Sequence, residues 1–502
     1  MKKWITIFTL LLSITMALLI TPALSADSIS KIQSFDGESL IKSDGSYWVW
    51  GNGQPVPVQI HGLSDVEKSF GSNLVMKKDH TVWFWERTTP SGAAQIYNDK
   101  TLNNLMDVKS SWSDILALDE EGKVFLLTTQ GKLNPDQLNQ IIPLSGIDNV
   151  SDISWYTEYH IENNNYATET RWVFLKKDGT VWINGDKFPA ETFEPIQSLN
   201  NIIDIEENIA LKKDGSVWSW PNEFGNEIDR PLTAAPIKEL TGIQTIKACA
   251  RSKVAIDNNS NLWFWGLTLT GYSDGTIQHD QPVPVNLTTI EDVKEACVFE
   301  RTLLVLTNTG NVLTTSIDTE SMPVNPVFEH LASDVKQIKL GSRHIIMQKN
   351  NGSLWGWGVN KNGQLGCGSF EFMFNSPQPV QKPVSIYLNN EPVVMNSGVI
   401  IRNGQAFIPL RSIFEKMGAS LKWDAANKTV TISRTGPDNQ PVTISINYNS
   451  GESSINKERV LLPNSPFILS STAYLPLRFI SESLGGNVEW MQDEDKIFIS
   501  IN

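Results

Sequence analysis

The chain has 502 residues, 41 basic against 55 acidic, a formal net charge of −14 and three cysteines. That length exceeds one ordinary domain, and three cysteines exclude a scaffold built on disulfides. The acidic balance lacks the basic footprint that a nucleic-acid partner requires.

Lys2 and Lys3 precede an apolar run from Trp4 to Ile20, then Pro22 and Ala23-Leu24-Ser25-Ala26. A positive start, an apolar stretch and small residues at its end are the order of a secretory signal peptide, spanning residues 1–26. Cleavage is expected after Ser25 or Ala26. An uncleaved anchor is the alternative, because the run is nearly long enough to span a bilayer. Loss of Lys2 and Lys3 takes the charge from −14 to −16, since no acidic residue precedes Asp27. No later segment reaches spanning length, so no integral membrane span is expected after cleavage.

Residues 27–383 repeat one hairpin eight times: a short apolar strand, a turn, and a strand carrying Trp or another large apolar residue. The turns are Asp44-Gly45, Asp79-His80, Glu121-Gly122, Asp178-Gly179, Asp214-Gly215, Asn259-Ser260, Thr309-Gly310 and Asn351-Gly352. Asp-Gly and Asn-Gly predict the tight two-residue turn with positive φ at both central positions. Alternation such as Val82-Trp83-Phe84-Trp85 predicts strands with two different faces. The mean spacing of about 44 residues lies in the range of propeller blades. Proline segments, Pro55-Val56-Pro57-Val58, Pro282-Val283-Pro284-Val285 and Pro377-Gln378-Pro379-Val380, read as outer connections between blades.

Gly341-Ser342-Arg343-His344, the Asn351 hairpin, Gly358-Val359-Asn360-Lys361-Asn362-Gly363-Gln364-Leu365-Gly366 and Pro379-Val380 together resemble a complete repeat of the regulator of chromosome condensation family. The other seven copies are degenerate. The resemblance covers roughly residues 30–383 and implies a β-propeller of seven or eight blades. Export and negative charge oppose any transfer of a chromatin or nucleotide-exchange role.

Most tryptophans recur with the repeat and read as packing residues. Function is expected where the repeat breaks, in insertions at 86–104, 128–145, 155–171 and 221–236. Trp155, Tyr156 and Tyr159 open the third of these and are the candidate ligand-binding residues. The six histidines (61, 80, 160, 279, 330, 344) form no ligand-spaced pair. No nucleophile elbow, phosphate loop or zinc motif is present, so no catalytic residue, cofactor or metal site is expected. Cys249 and Cys297 hold similar strand positions in successive repeats and read as small apolar residues.

Residues 384–502 contain a second repeat. Phe407-Ile408-Pro409-Leu410-Arg411 returns as Tyr474-Leu475-Pro476-Leu477-Arg478, Gly418 as Gly485 and Trp423 as Trp490, always 67 positions later. Each half reads as strand, short amphipathic helix opened by Pro and closed by Gly, then a Trp-bearing strand. This duplicated α+β pattern resembles the copper amine oxidase N-terminal-like domain found on exported bacterial proteins. Oxidase chemistry in that family belongs to another domain with a Tyr-derived quinone and three His ligands. Here Asn447-Tyr448-Asn449 only echoes the quinone motif, and no His follows His344; copper centres want imidazole. Arg411 and Arg478 read as structural. Asp493-Glu494-Asp495 reads as a solvated turn rather than a Ca²⁺ site.

The expected function is a secreted or cell-wall-associated bacterial binding protein without enzymatic activity. Its partner would be an extracellular protein or a cell-wall glycan. The alternatives are a polysaccharide lyase or hydrolase working in the propeller funnel, and a structural envelope protein.

Overall fold

The computed structural model describes residues 31–87, 94–138, 141–162, 165–185, 188, 192–224, 231–249, 251–272, 275–435, 440–462 and 464–501. Strands hold 56% of the chain and helices 4%, so the protein is mainly β. The signal segment and the C-terminal Asn502 lie outside the described residues.

Eight four-stranded sheets follow one another over residues 32–379, each made of four consecutive strands paired in chain order. Eight apolar clusters join them. The first sheet packs on the second through Ile41, Tyr47 and Val75, and each later pair shares its own cluster. The last cluster brings Ile346 and Leu354 of the eighth sheet onto Phe35, Leu40, Trp48 and Trp50 of the first. Every sheet is thus covered on both faces, which is how a propeller buries strands that could not stand alone.

The Gly-Gln-Leu-Gly segment is the latch of this ring. Gly53 N donates to Asn362 O at 2.9 Å, and Trp50 Nε1 donates to Gln364 O at 2.7 Å. A Cβ on Gly363 would lie 2.6 Å from Gln54 O, so this approach needs glycine. His344 is fully buried, its Nε2 2.9 Å from Gly37 O across the same seam.

The hairpin turn differs from the expected one. Only its second residue has positive φ: Gly45 +78°, His80 +66°, Gly215 +82°, Ser260 +62°. Gly45 N donates to Lys42 O at 2.8 Å. This is a type I turn followed by one left-handed residue, which joins strands through three residues rather than two. A side-chain relay holds it. Asp214 Oδ1 accepts from Ser216 N at 2.9 Å and from Ser216 Oγ at 2.6 Å, and Trp218 Nε1 donates to Ser216 Oγ at 3.0 Å. Lys212 Nζ lies 3.8 Å from the Trp218 ring centroid, a cation–π contact. The same relay recurs at Asp44-Ser46-Trp48, Asp79-Thr81-Trp83, Asp178-Thr180-Trp182 and Asn351-Ser353-Trp355. The recurring Trp therefore has a local reason to be Trp: its ring packs and its N–H ties down the turn.

Two further expectations need correction. The proline segments are not connections but the outer strands themselves, within Gln54–Gln59, Ile277–Asn286 and Met373–Pro379. An edge strand tolerates missing donors. The insertion at 155–171 is not a loop. Val150–Glu162 and Asn165–Lys176 run on as one antiparallel hairpin, pairing from Val150–Lys176 to Glu162–Asn165. The insertion at 86–104 likewise extends Thr81–Arg87 and pairs it with Ala94–Asn103.

The C-terminal unit has its own core, including Ile408, Ile413, Phe414, Ile432, Leu475 and Ile480. Its two halves meet strand to strand: Phe407 pairs with Pro476, Ile408 with Leu475 and Pro409 with Tyr474. Ile408 thus faces its own equivalent 67 positions on, and a local two-fold axis passes between them. Helices Leu410–Phe414 and Leu477–Ser483 start after Pro409 and Pro476, and Gly418 and Gly485 end them with φ of +79° and +84°. The Arg411 side chain lies outside the described ones; Arg478 is mostly exposed, with Glu482 at 4.0 Å. Asn447 Oδ1 accepts from Asn449 N and Ser450 N at 2.9 and 2.8 Å, so Asn447-Tyr448-Asn449 belongs to a turn.

This unit is seated on the propeller. Gly398 approaches Pro57 so closely that a Cβ would stand 2.3 Å from its carbonyl oxygen. Asp495 lies 3.9, 3.8 and 4.0 Å from Lys31, Lys42 and Lys382. Asp493 and Glu494 are exposed in a short turn, while Asp495 at its end turns inward towards the three lysines.

Candidate functional site

In an antiparallel sheet, the connections from first to second and from third to fourth strand leave at the same end. All four insertions occupy such connections: 86–104 in the second sheet, 128–145 in the third, 155–171 in the fourth and 221–236 in the fifth. They crown one face of the ring. The C-terminal unit is at the other end, where it meets Lys42 and the Asn351-Gly352-Ser353 turn.

A cleft of about 780 Å³ opens on the insertion-bearing face, where the first, second and eighth sheets meet. Asp36 and Glu38 enter it from the connection between the first two strands. That connection is held against the eighth sheet, for a Cβ on Gly37 would lie 2.8 Å from Gly341 Cα. The Glu38 carboxyl lies flat on Gly51: a Cβ there would meet its carbon and oxygens at 2.6, 2.6 and 3.0 Å. Burial pushes the Glu38 carboxyl up to about 7. Burial also raises Asp36, against the pull of Lys339. Neither side chain has a hydrogen bond or ion pair among the described residues.

The other walls are aromatic and charged. Trp85 is half-buried and edge-on to Tyr47, with centroids 6.1 Å apart. Lys68 lies over the Phe70 ring at 5.1 Å and donates to Met106 O. Lys132 reaches Glu86 at 3.8 Å. Along the first strands stand further carboxylates, among them Asp204, which burial raises to about 6, and Glu206, bonded to Lys247. Among the described residues no group of three metal-ligating side chains forms.

The three aromatic candidates separate. Tyr156 is a correction: at 2% exposure it sits in the core between the fourth and fifth sheets, edge-on to Trp220 at 6.2 Å. Strand alternation turns Trp155 the other way, towards the third sheet, where it meets Trp112 at 6.3 Å. Trp112 is 81% exposed. Tyr159 is half-buried under Arg251, 5.6 Å from its ring. Of the cysteines, Cys297 is buried as expected and Cys249 is exposed. Sequence reasoning missed Asp36 and Glu38. The one signal was Asp36-Gly37-Glu38 standing where the eighth copy has Gly341-Ser342-Arg343.

The pH dependence of stability reports on Glu38. Its folded pKa is raised, so the stability it contributes is full below about 4.5 and is lost as pH rises through about 7. His61 and His344 are both lowered by burial; they act in the opposite sense, weakening the fold as pH falls. In the difference between wild type and Glu38→Gln the histidines cancel. Urea midpoints should coincide at pH 5 and favour the variant at pH 8. A variant less stable at pH 8 would show that the carboxylate is well solvated.

Residues 351–395 and 335–364 match two descriptions of the regulator of chromosome condensation (RCC1) repeat. Residues 387–499 match the copper amine oxidase N-terminal domain. The chain thus carries both kinds of unit. No curated protein matches. Among solved structures, human WBSCR16 is 15% identical, with 60% of this chain and 89% of that one covered at a TM-score of 0.42. Prp20p of Saccharomyces cerevisiae is 16% identical, with 55% and 77% covered at 0.38. Sqt1 of the same yeast is 12% identical, with 85% and 98% covered at 0.34. At such scores and identities these likenesses lend no argument about function.

Proposed function

We propose that the protein is exported and works by binding, its insertion-bearing face engaging a protein or glycan outside the cell. The C-terminal unit serves as the docking or wall-associated part. One observation carries this reading: all four insertions emerge on one face, and the C-terminal unit is seated at the other end. Binding residues commonly sit on variable segments held by a rigid scaffold. The order of residues 1–26 supports export, and the acidic charge supports solubility there.

The test uses the mature protein and two variants. Capture of envelope polymer or secreted protein should fall at least tenfold when exposed Trp112 and its half-buried neighbour Trp155 are both changed to Ala, the scale expected for aromatic anchors. Lys213→Ala, at the opposite face, should leave capture intact. Equal capture by both variants would sink the proposal. Protein recovered from the medium should begin near Asp27.

A second reading is a polysaccharide lyase or hydrolase. It is favoured by Asp36, Glu38, Glu86 and Tyr47 sharing one cleft, and by Glu38 titrating near neutrality, where a general acid works. Release of new chain ends from a wall polymer, abolished by Glu38→Gln, would establish it.

A further inference from the structure

We infer that the cleft between the first, second and eighth sheets receives a basic side chain, a lysine or arginine presented by a protein partner, against the Asp36 and Glu38 carboxylates and the Trp85 ring. This rests on the reading of the same face as a binding surface and names the chemistry it takes.

The argument begins with what the two carboxylates lack. Both are largely withdrawn from water, yet neither is hydrogen-bonded or ion-paired among the described residues. The chain's own cations in the cleft are engaged elsewhere. Lys68 is on Phe70 and the Met106 carbonyl. Lys132 is with Glu86. Lys339, of the eighth sheet, pulls on Asp36 without reaching ion-pair distance. Asp107, on the same wall, is paired with Lys109 at 3.0 Å. The cleft is therefore short of one positive charge.

A neutral sugar hydroxyl would meet these carboxylates only as an ordinary donor. A charged donor makes the stronger bond, and an ammonium or guanidinium can also rest on the half-buried Trp85 face. A bound metal ion fits less well, because no three ligating groups converge among the described residues. A protein is favoured over a free amine by the surroundings. Trp112, 81% exposed, and the paired strands of the insertions stand on the same face, and a macromolecular surface could cover them together with the cleft. The acidic charge of the chain steers basic partners towards it.

Isothermal titration of the mature protein with a trilysine peptide tests the inference. Binding is expected at pH 8 and about tenfold weaker at pH 6, because Glu38 titrates near 7 and must be ionised to bind. Glu38→Gln should weaken binding at least tenfold at pH 8 and flatten the pH dependence. Asp36→Asn should weaken it and keep that dependence. Glu391→Gln, exposed on the C-terminal unit, should change nothing. Melting curves confirm that each variant is folded. The inference is overturned if trilysine does not bind at pH 8 or if Glu38→Gln binds it equally. It is also overturned if calcium chloride or an N-acetylglucosamine oligomer binds with the same Glu38 dependence in place of trilysine. Loss of envelope capture in the Trp112 and Trp155 variant, with trilysine ignored, would leave the face reading standing and remove this one.

Discussion

Arg171→Ala is expected to lower the stability of the propeller by about 3–5 kcal/mol. Arg171 is 1% exposed and Glu158 is fully buried. The guanidinium donates Nε and Nη2 to Glu158 Oε1 at 2.9 and 2.6 Å, and Nη1 to Gly185 O at 2.8 Å. Nη2 also reaches Glu169 at 2.8 Å. Alanine would remove the cation and leave the Glu158 charge inside the extended hairpin. It would also remove the bond from Arg171 to the Gly185 carbonyl, which ties the hairpin to the end of the third strand, leaving that oxygen only the Asn184 amide at 2.9 Å. The damage should start locally, so limited proteolysis within 155–171 should appear before global unfolding. Urea midpoints measure the loss. Changing both partners, Arg171→Met with Glu158→Leu, should recover most of it, since no buried charge is left unpaired. A loss below about 1 kcal/mol would place this pair with ordinary surface ion pairs.

Trp50→Ala is expected to cost about 3–5 kcal/mol, and its effect should spread around the ring. Trp50 is 3% exposed and belongs to the cluster joining the eighth sheet to the first. Its N–H is the buried donor to Gln364 O. Truncation leaves a cavity in the seam and an unpaired carbonyl beside it. An opened seam exposes one face of two sheets, so hydrogen exchange should accelerate in both Ser39–Lys42 and His344–Lys349. Trp218→Ala is the internal comparison: that ring is only half-buried and its loss should be smaller and confined to the fifth sheet. If the two variants prove equally stable, the seam carries no special role.

The parts that were legible and those that were not differ in the range of the interactions that decide them. All eight turn positions were readable because a type I turn with one left-handed residue depends on four consecutive residues. The specific turn was misjudged because Asp-Gly also suits a shorter turn, and the relay from Asp214 through Ser216 to Trp218 selects between them. Tyr156 was misplaced for a different reason. Aromatics in a non-repeating stretch look like a loop, yet the stretch is strand, and parity sends Tyr156 into the core while Trp155 faces the other way. The role of Gly363-Gln364-Leu365 was invisible because its partner, Trp50, lies more than 300 positions away.

The sequence by itself determined the repeat, the mainly β architecture and the two-fold C-terminal unit. These follow from turn chemistry, strand alternation and residue types, all local properties. Only the tertiary structure decided which face carries the insertions, how the first and eighth sheets close the ring, and which groups meet in the cleft. Antiparallel order forces alternate connections to one end, and ring closure then brings Asp36 and Glu38 beside Trp85, Lys132 and Gly341. Burial without a partner is what turns two unremarked carboxylates into a candidate site, and burial is a property of the folded chain alone.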